Sequence, residues 1–589
     1  MIPAELKTFS NTLVSVIFFA SNIRLWQQSG YFDTAGELKP LLHTWSLAVE
    51  EQYYIFFPIA VLLLWRVGRR NALWSIALVA ILSLALSEYA SRYYAAANFY
   101  MLPTRAWELL AGALCPFAIV KPSIPRDDIL SLAGLIAIAT SVFGYDETIP
   151  FPSLYALLPV LGTCAILLFA REGTLVGSLL SLKPIVGIGL ISYSAYLWHQ
   201  PLFAFARIRS LTEPTWQLML LLAFVTFALA YLSWRLVEVP TRRRGSWPLP
   251  NRRMVFALLG TVAVAFITFG VAGHFTKGFP LRLPSESRYF ASFSDARNLR
   301  YECISSPKSP LPNQTCIYGT KDKLPEFALL GDSHVHALAP EIGKVLSQNS
   351  SSLIEFAYGG CPPIHTYRRI DKAGILDCNG YHKAVIDILR NMPNVKTVFL
   401  AARWPLYIEL GYFNNREGGV ESASKVYPIR EDLKMQNDAN LKTQIGNLYQ
   451  NSITELLSLG KRVVLVYPQP EIGWNVPDHV SKLIMFKNYD KRPLSIGYDI
   501  FKERMKSTYF NLDKVTSDHL LRIYPEYIFC NTYVKDRCVA EDGKVPFYSD
   551  DDHVDSIGAA LISQEIMRAM HQKGWLVKHS EGTNIGQLP

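Results

Sequence analysis

Apolar stretches long enough to cross a bilayer dominate the chain from Phe9 to about Phe275. A transmembrane helix needs roughly 17–25 mostly apolar residues, and lipid tolerates only segments that satisfy their own backbone hydrogen bonds. The rest of the 589-residue chain has ordinary globular composition. The sequence therefore predicts an α-helical multi-pass membrane domain followed by a soluble domain.

About nine spans are predicted, and the positive-inside rule orients them. They are centred near Phe18, Phe56, Val79, Leu114, Ala137, Leu161, Tyr196, Leu222 and Val264. Loops after the even-numbered spans hold twelve basic residues: Arg66, Arg69, Arg70, Lys121, Arg126, Arg171, Lys183, Arg242, Arg243, Arg244, Arg252 and Arg253. The opposite loops hold five: Lys39, Arg92, Arg105, Arg207 and Arg209. The soluble half is therefore expected on the extracytoplasmic side. Loop arginines account for much of the net charge of +9, so no nucleic-acid partner is expected.

Cysteine spacing is consistent with an oxidising compartment. The soluble half holds the close pairs Cys303 with Cys316, Cys361 with Cys378, and Cys530 with Cys538. Three local disulfides are favoured, although six cysteines allow about fifteen pairings. A zinc site is the alternative, but the spacings lack the tight pairs of structural zinc. Cys115 and Cys164 lie in apolar spans and are expected to be packing residues.

Two distant blocks together supply the groups of a serine hydrolase triad. Glu326 to Leu330 is a strand candidate, and Gly331 provides a tight turn that could place Ser333 at a strand's carboxyl end. A serine nucleophile needs a base and an orienting carboxylate, which Asp550 and His553 offer. The alternative is a chance turn and a solvated histidine. Further strands are predicted at Thr397–Ala401 and Arg462–Tyr467, as a parallel α/β sheet requires.

Ionisable residues also stand at the ends of predicted spans, where they are costly and usually functional. These candidates are His43, Glu50, Arg105, Glu108 and His199. Arg105 and Glu108 are three apart and can pair on a helix. The alternative for the segment with His43 and Glu50 is an interfacial cap, with Ser46 or Thr44 as helix N-cap and acidic residues in the first turns. A lone histidine in an aromatic stripe, such as His199, is more often a satisfied interface residue than a catalyst.

Gly331-Asp332-Ser333 and Asp550-x-x-His553 resemble the motifs of the SGNH hydrolase family. The first block of that family is Gly-Asp-Ser, and its last is Asp-x-x-His. The resemblance implies a flavodoxin-like parallel sheet, with Ser333 as nucleophile, His553 as base and Asp550 orienting it. It also implies an oxyanion hole built from the backbone N–H of Ser333, Gly360 and a third-block asparagine. Arg403 occupies the segment where that asparagine is expected, and it either donates instead or stacks on Trp404.

The membrane half resembles the acyltransferase family 3 domain. The matching segments are Trp45-Ser46-Leu47-x-x-Glu50, Tyr196-Leu197-Trp198-His199-x-Pro201 and Glu238-x-Pro240-x-Arg242. The resemblance implies O-acyl transfer, with acetyl favoured, from cytosolic acetyl-CoA to an extracytoplasmic or lipid-linked polysaccharide such as O-antigen. It implies no bound cofactor and no metal, and it implies a bacterial inner membrane protein with a periplasmic C-terminal domain.

The expected organisation is a transmembrane domain over 1–274, a linker over 275–324, the SGNH-like domain over 325–575 and a tail over 576–589. By this resemblance, we expect the sequence to start downstream of the family's first helices, which carry an arginine and histidine motif. A late start, a true truncation or a split gene would each account for that. Two other functions remain open: a periplasmic carbohydrate esterase, and an inactive remnant that only binds glycan.

Overall fold

The computed structural model describes residues 1–29, 36–66, 68–118, 121–146, 149–212, 214–242, 252–294, 300–306, 309–320, 323–364, 369–371, 374–421, 427–428 and 438–576. Two compact units make up this chain. The first holds Pro3–Phe279 and the second holds Pro280–Asp371 and the residues from Ile375 onward. The predicted tail lies outside the described residues except for Leu576, as do Arg243 and Arg244.

The first unit is helical. Its helices are α1 Pro3–Ile17, α2 Ser21–Gln27, α3 Thr44–Trp65, α4 Arg69–Tyr93, α5 Ala95–Tyr100, α6 Leu102–Leu114, α7 Ile124–Gly144, α8 Leu157–Phe169, α9 Leu175–Leu180, α10 Lys183–Arg209, α11 Trp216–Ser233, α12 Val239–Arg242 and α13 Arg252–Phe275. Large apolar side chains point outward from them, and Phe143 and Phe256 are 89% and 72% exposed. Such surfaces are expected of helices surrounded by lipid rather than water.

The structure supports fewer long spans than the sequence predicts. Among the described residues, five helices are long and apolar enough to cross a membrane: Thr44–Trp65, Arg69–Tyr93, Ile124–Gly144, Trp216–Arg242 and Arg253–Phe275. The span expected near Phe18 is interrupted, because α1 ends at Ile17 and Phe19 has a φ of +51°. Leu114 is not a span centre but the last residue of a 13-residue helix. The chain is a membrane protein, but the count of nine spans is not confirmed.

The second unit contains an α/β sheet and its flanking helices. Its helices are α14 Ser285–Phe293, α15 Ser333–Gln348, α16 Cys378–Arg390, α17 Trp404–Ile408, α18 Asp438–Ser458, α19 Val476–Met485, α20 Tyr498–Leu512, α21 Glu526–Phe529 and α22 Ser556–Gln572. Its strands are β1 Ile304–Ser305, β2 Ile317–Gly319, β3 Phe327–Gly331, β4 Ser352–Tyr358, β5 Arg369–Asp371, β6 Gly374–Leu376, β7 Thr397–Ala401, β8 Tyr427–Pro428, β9 Arg462–Val466, β10 Ser495–Gly497, β11 Leu520–Ile523 and β12 Arg537–Val539.

The main sheet has the predicted parallel, flavodoxin-like arrangement. Its strands lie in the order β1, β4, β3, β7, β9, β11, all parallel, and β2 pairs antiparallel with β4. The five central strands thus follow the order 2-1-3-4-5 in chain sequence. That order reverses between β3 and β7, and open α/β sheets bind ligands beyond the carboxyl ends of strands at such a reversal. β1 and β2 both come from the segment 275–324.

Alternating side chains of β3 fill the two cores that flank the sheet. Ala328 and Leu330 belong to one apolar cluster, and Phe327 and Leu329 belong to the other. Every residue of β3 is buried. Strands covered by helices on both faces have this continuous apolar character. The core therefore fixes where β3 ends, and with it the position of the next residues.

All three expected disulfides form. They join Cys303 to Cys316, Cys361 to Cys378, and Cys530 to Cys538. The middle bridge ties the turn after β4 to the first residue of α16. Each closes a short loop, so each limits the freedom of the unfolded chain.

Cysteine alkylation after denaturation tests these three bridges. In a Cys115→Ser/Cys164→Ser background the unreduced protein should take up no maleimide, because all remaining cysteines are paired. Intact mass should show six adducts after reduction. Two or more adducts before reduction would contradict the pairing.

Candidate active site

The turn between β3 and α15 presents Ser333 at the carboxyl edge of the sheet. β3 ends at Gly331, and Ser333 is the first residue of α15. A side chain at Gly331 could not be accommodated, since a Cβ there would lie 1.8 Å from the carbonyl oxygen of Ala401. The first N–H groups of a helix have no partner within the helix. The backbone N–H of Ser333 therefore belongs to a set suited to hold a negative oxygen.

The carboxylate of Asp332 holds this turn in place. It caps α15 by accepting the N–H of His334 on Oδ1 at 2.9 Å. Its Oδ2 accepts the N–H of Arg403 and the hydroxyl of Tyr407, each at 2.9 Å. Asp332 thus joins the nucleophile turn to the segment that follows β7, on both sides of the strand-order reversal.

Ser333, His553 and Asp550 form a continuous hydrogen-bonded chain. His553 Nε2 lies 2.7 Å from Ser333 Oγ, and Nδ1 lies 2.9 Å from Asp550 Oδ2. Asp550 Oδ1 also accepts the backbone N–H groups of Asp552 and His553, at 3.1 and 2.7 Å. The sequence-predicted triad residues are therefore brought together across 220 positions of the chain.

A second carboxylate reaches the same imidazole. Asp552 Oδ1 lies 2.8 Å from His553 Nδ1. Asp552 Oδ2 lies 2.9 Å from His334 Nε2 and 3.0 Å from Arg403 Nη1. The sequence predicted Asp550 as the orienting carboxylate and identified neither Asp552 nor His334. The acidic run before His553 and the histidine directly after Ser333 were the available signals.

Among the described residues, Arg403 is held in an ion-pair cluster and does not stack on Trp404. Its guanidinium is buried and pairs with Glu421, with Glu471 at 2.6 Å and with Asp552. The indole of Trp404 instead donates to the carbonyl of Val466 and meets Tyr449 edge-on. The stacking on Trp404 expected from the sequence is therefore wrong, whereas donation by Arg403 to an oxyanion stays a prediction.

Gly360 lies at the same edge of the sheet as Ser333. Gly331, the last residue of β3, is in register with Ala357, three residues before Gly360. Gly360 has a φ of +74°, a conformation that favours glycine. Its carbonyl accepts Arg369 Nη1 at 2.9 Å, which fixes the peptide orientation. Gly360 remains the predicted second oxyanion donor.

Charges around the site set its protonation. Burial lowers the pKa of His553, but the Asp550 and Asp552 carboxylates outweigh burial and raise this pKa to about 10. Burial opposes ionisation of Asp552, yet Arg403 and His553 hold its pKa well below the usual range. Burial, followed by the neighbouring Glu421, raises the pKa of Asp551 well above that of an ordinary aspartic acid. The charges around the site thus shift the pKa values of these adjacent aspartates in opposite directions.

Two groups of side chains at the site have ligand atoms close enough for a metal ion. One is His334, Asp552 and His553, and the other is Glu421, Asp551 and Asp552, with ligand atoms within 4.8 Å of one another. Asp552 belongs to both groups and already lies 3.0 Å from Arg403 Nη1. A guanidinium at this position supplies the positive charge that a cation would otherwise supply.

In the first unit, His43 and His199 come together. Their ring centroids are 5.6 Å apart, and each lies near the ring of Tyr196. The hydroxyl of Tyr196 donates to the carbonyl of His43 at 2.7 Å. Ser46 Oγ lies 2.5 Å from the same Tyr196 hydroxyl. Two family-resembling segments, distant in sequence, therefore form one polar cluster.

The other membrane candidates lie in pairs. Arg105 Nη2 is 3.3 Å from Glu108 Oε2, and its guanidinium lies 5.0 Å from the ring centroid of Trp45. Glu50 accepts the hydroxyl of Tyr54 at 2.7 Å. The Arg105–Glu108 pair expected from sequence spacing is present.

A serine, a histidine and an aspartate joined by hydrogen bonds at the carboxyl edge of a parallel sheet have the arrangement of an SGNH-class site. Residues 302–568 match the SGNH domain family described as fused to AT3 domains, and residues 8–235 match the acyltransferase domain family. The chain is therefore an acyltransferase family 3 membrane domain joined to an SGNH domain, as the motifs predicted.

Several known proteins resemble parts of the chain. It is 31% identical over 262 residues to peptidoglycan O-acetyltransferase OatA of Listeria monocytogenes, covering 41% of this chain and 42% of that protein. It is 28% identical over 264 residues to O-acetyltransferase OatA of Staphylococcus aureus, covering 41% and 43%. The matches thus span less than half of either relative's length. The solved periplasmic domain of the lipopolysaccharide acetyltransferase of Salmonella ser. Paratyphi A aligns with a TM-score of 0.33 and 15% identity, over 50% of this chain and 99% of that one.

Substituting Asp332 tests its role in holding the nucleophile turn. Asp332→Ala leaves three buried donors without their acceptor and should lower the free energy of unfolding by about 3 kcal/mol or more. Tyr407→Phe removes only one of those bonds and should cost about 1 kcal/mol. Thermal unfolding of the detergent-solubilised chain measures both. Equal midpoints for the two variants would show that Asp332 does not hold the turn.

Proposed function

We propose that this chain is a membrane O-acyltransferase in which Ser333 carries the acyl group, with His553 as base and Asp550 orienting it. The observation that carries the proposal is the Ser333–His553–Asp550 hydrogen-bonded chain within a protein that also has an acyltransferase membrane domain. Relatives named O-acetyltransferases favour acetyl as the group transferred.

The geometry supports a two-step exchange of one ester for another. His553 Nε2 takes the proton of Ser333 while Oγ bonds to the acyl carbon, and the leaving group departs with that proton. An acceptor hydroxyl then gives its proton to Nε2 and attacks the acyl carbon, and the bond to Ser333 Oγ breaks as Oγ regains a proton. In both steps the developing oxyanion is placed near the N–H groups of Ser333 and Gly360.

The membrane half is proposed to deliver the acyl group from a cytosolic donor, for which acetyl-CoA is the candidate. The His43–His199–Tyr196 cluster and the Arg105–Glu108 pair are polar groups within a largely apolar unit. Ionisable side chains at membrane depth usually line substrate paths. Glu50 occupies the motif position of the membrane family and is assigned to the same path.

The acceptor is proposed to be a cell-envelope glycan outside the cytoplasm, reached by a periplasmic SGNH domain of an inner membrane protein. Loop arginines and the three disulfides support this placement. A relative named for peptidoglycan broadens the acceptor beyond the O-antigen that the sequence suggested. A hydrolase would use the same triad with water, and the test below separates the two.

Acyl transfer should depend on Ser333. Ser333→Ala removes the atom that carries the acyl group, so glycan O-acetylation by membranes containing the full chain should fall by about 10³-fold or more. Ser347→Ala, on the exposed far end of the same helix, is the matched control and should leave it unchanged. Ester quantification on isolated glycan measures both. Undiminished acetylation by Ser333→Ala would refute the carrier role, and loss of glycan acetyl groups with the wild type would indicate a hydrolase.

Substitutions in the membrane half should affect glycan acylation but not ester hydrolysis at Ser333. Glu50→Gln and Arg105→Ala should abolish transfer to glycan yet leave hydrolysis of 4-nitrophenyl acetate by the purified chain intact, because that small ester reaches Ser333 from water. Glu51→Gln, one residue along the same helix, is the matched control and should keep both activities. Wild-type transfer by both path variants would exclude these residues from the donor path.

A further inference from the structure

We propose that Asp552 is a second positioning carboxylate for His553, so that two aspartates rather than one hold the base of this site. The inference deepens the proposed function, since it concerns the same base. It assigns Asp552, and through it His334 and Arg403, a part in proton transfer that the Ser-His-Asp arrangement does not require.

The contacts of Asp552 divide between its two oxygens. Oδ1 faces His553 Nδ1 at 2.8 Å, as close as the nearer oxygen of Asp550 at 2.9 Å. Oδ2 is held from the other side by His334 Nε2 and Arg403 Nη1, at 2.9 and 3.0 Å. Asp552 is 2% exposed, so it is fixed by these partners and not by solvent.

The hydrogen bonds of Gln469 determine the tautomer of His334. Gln469 Nε2 lies 3.0 Å from the carbonyl oxygen of Asp552 and 2.9 Å from His334 Nδ1. A carbonyl only accepts, so the side-chain group of Gln469 must be its NH2, which then donates to both partners. His334 Nδ1 is therefore an acceptor and its proton is on Nε2, which donates to Asp552. His334 acts as a neutral donor that orients the carboxylate.

Arg403 explains why a second carboxylate can be ionised beside the first. Buried carboxylates that share a site repel, and one normally takes a proton. The charged and titratable groups that face Asp552 are His334, Arg403, Glu421, Glu471, Tyr548, Asp550, Asp551 and His553. Arg403 contacts Asp552 directly and is itself paired with Glu421 and Glu471. Burial and the neighbouring Glu421 instead raise the pKa of Asp551, the middle residue of the acidic run.

Two carboxylates on one imidazole nitrogen change the proton transfer in a defined way. Both favour the imidazolium that forms when Ser333 or an acceptor hydroxyl loses its proton. A sugar hydroxyl is a weak acid, so a more basic Nε2 favours taking its proton, but only the deprotonated imidazole can do so and its fraction rises with pH. Asp550 Oδ1 keeps its bonds to the backbone N–H groups of Asp552 and His553 when the Asp552 side chain is changed, so Asp550 can still orient the ring.

The experiment measures turnover of 4-nitrophenyl acetate against pH by the purified full chain, with nitrophenol read after quenching to one fixed pH. Asp550→Asn and Asp552→Asn should each reduce kcat by about 10 to 100-fold, and the double variant by about 10⁴-fold. In Asp552→Asn the acid limb of kcat/KM should move to lower pH by about one to three units, because one charge that favours the imidazolium is gone. A merely structural loss would lower the rate without moving that limb.

The matched control is Asp551→Asn. Asp551 lies next to Asp552 in the chain but groups with Glu421 rather than with the His553 ring, so this variant should move the acid limb less than Asp552→Asn does. Asp552→Ala replaces Asp552→Asn if the asparagine variant does not accumulate. It should show the same move of the acid limb to lower pH.

Two outcomes would overturn the proposal. One is an Asp552→Asn profile that superimposes on the wild type. The other is a loss with Asp550→Asn alone that equals the loss in the double variant, because a single carboxylate would then hold the ring. Ser333→Ala distinguishes this failure from that of the proposed function. If Ser333→Ala is inactive while Asp552→Asn is unaffected, only the second carboxylate is refuted. If Ser333→Ala still turns over the ester, the carrier itself is refuted.

Discussion

The buried ion-pair cluster centred on Arg403 is the interaction on which the soluble half's site depends. Its guanidinium meets carboxylates from three separate parts of the chain, Glu421, Glu471 and Asp552. Arg504 extends the cluster by pairing with Glu471 at 2.6 Å. Removing one member of such a cluster leaves a buried charge uncompensated, at a cost of about 3–5 kcal/mol. The loop that carries Asp550 and His553 can be acidic and buried only because this cation lies beneath it.

The two units address the burial of polar groups differently. In the second unit, the turn after β3, the Asp332 cap of α15 and the Arg403 ion-pair cluster position the Ser333 hydroxyl against His553. In the membrane unit the polar groups lie in small clusters, such as His43 with His199 and Arg105 with Glu108, among helices whose outer faces are apolar. Lipid makes isolated polar groups costly, so pairing is the simplest way to retain them.

Local signals made much of the fold and site predictable. β7 was predicted at its observed bounds, and β3 and β9 within one residue, because buried parallel strands are continuous apolar runs. Ser333, His553 and Asp550 were identified because each stands in a short motif. The partners of Arg403 were not, since Glu421 and Glu471 come together with it only in the folded sheet. The break after Ile17 was missed because hydropathy averages over a window and does not register a turn.

The order of the active-site groups along the chain has a consequence for synthesis. Ser333 follows β3, the first in the chain of the five strands in 2-1-3-4-5 order. His553 comes after all five, and α22, the last described helix, packs against the helix that begins with Ser333. The nucleophile is made early and its base more than two hundred residues later. A chain that is still emerging from the ribosome therefore has a serine of ordinary reactivity until almost the whole domain has been made and folded.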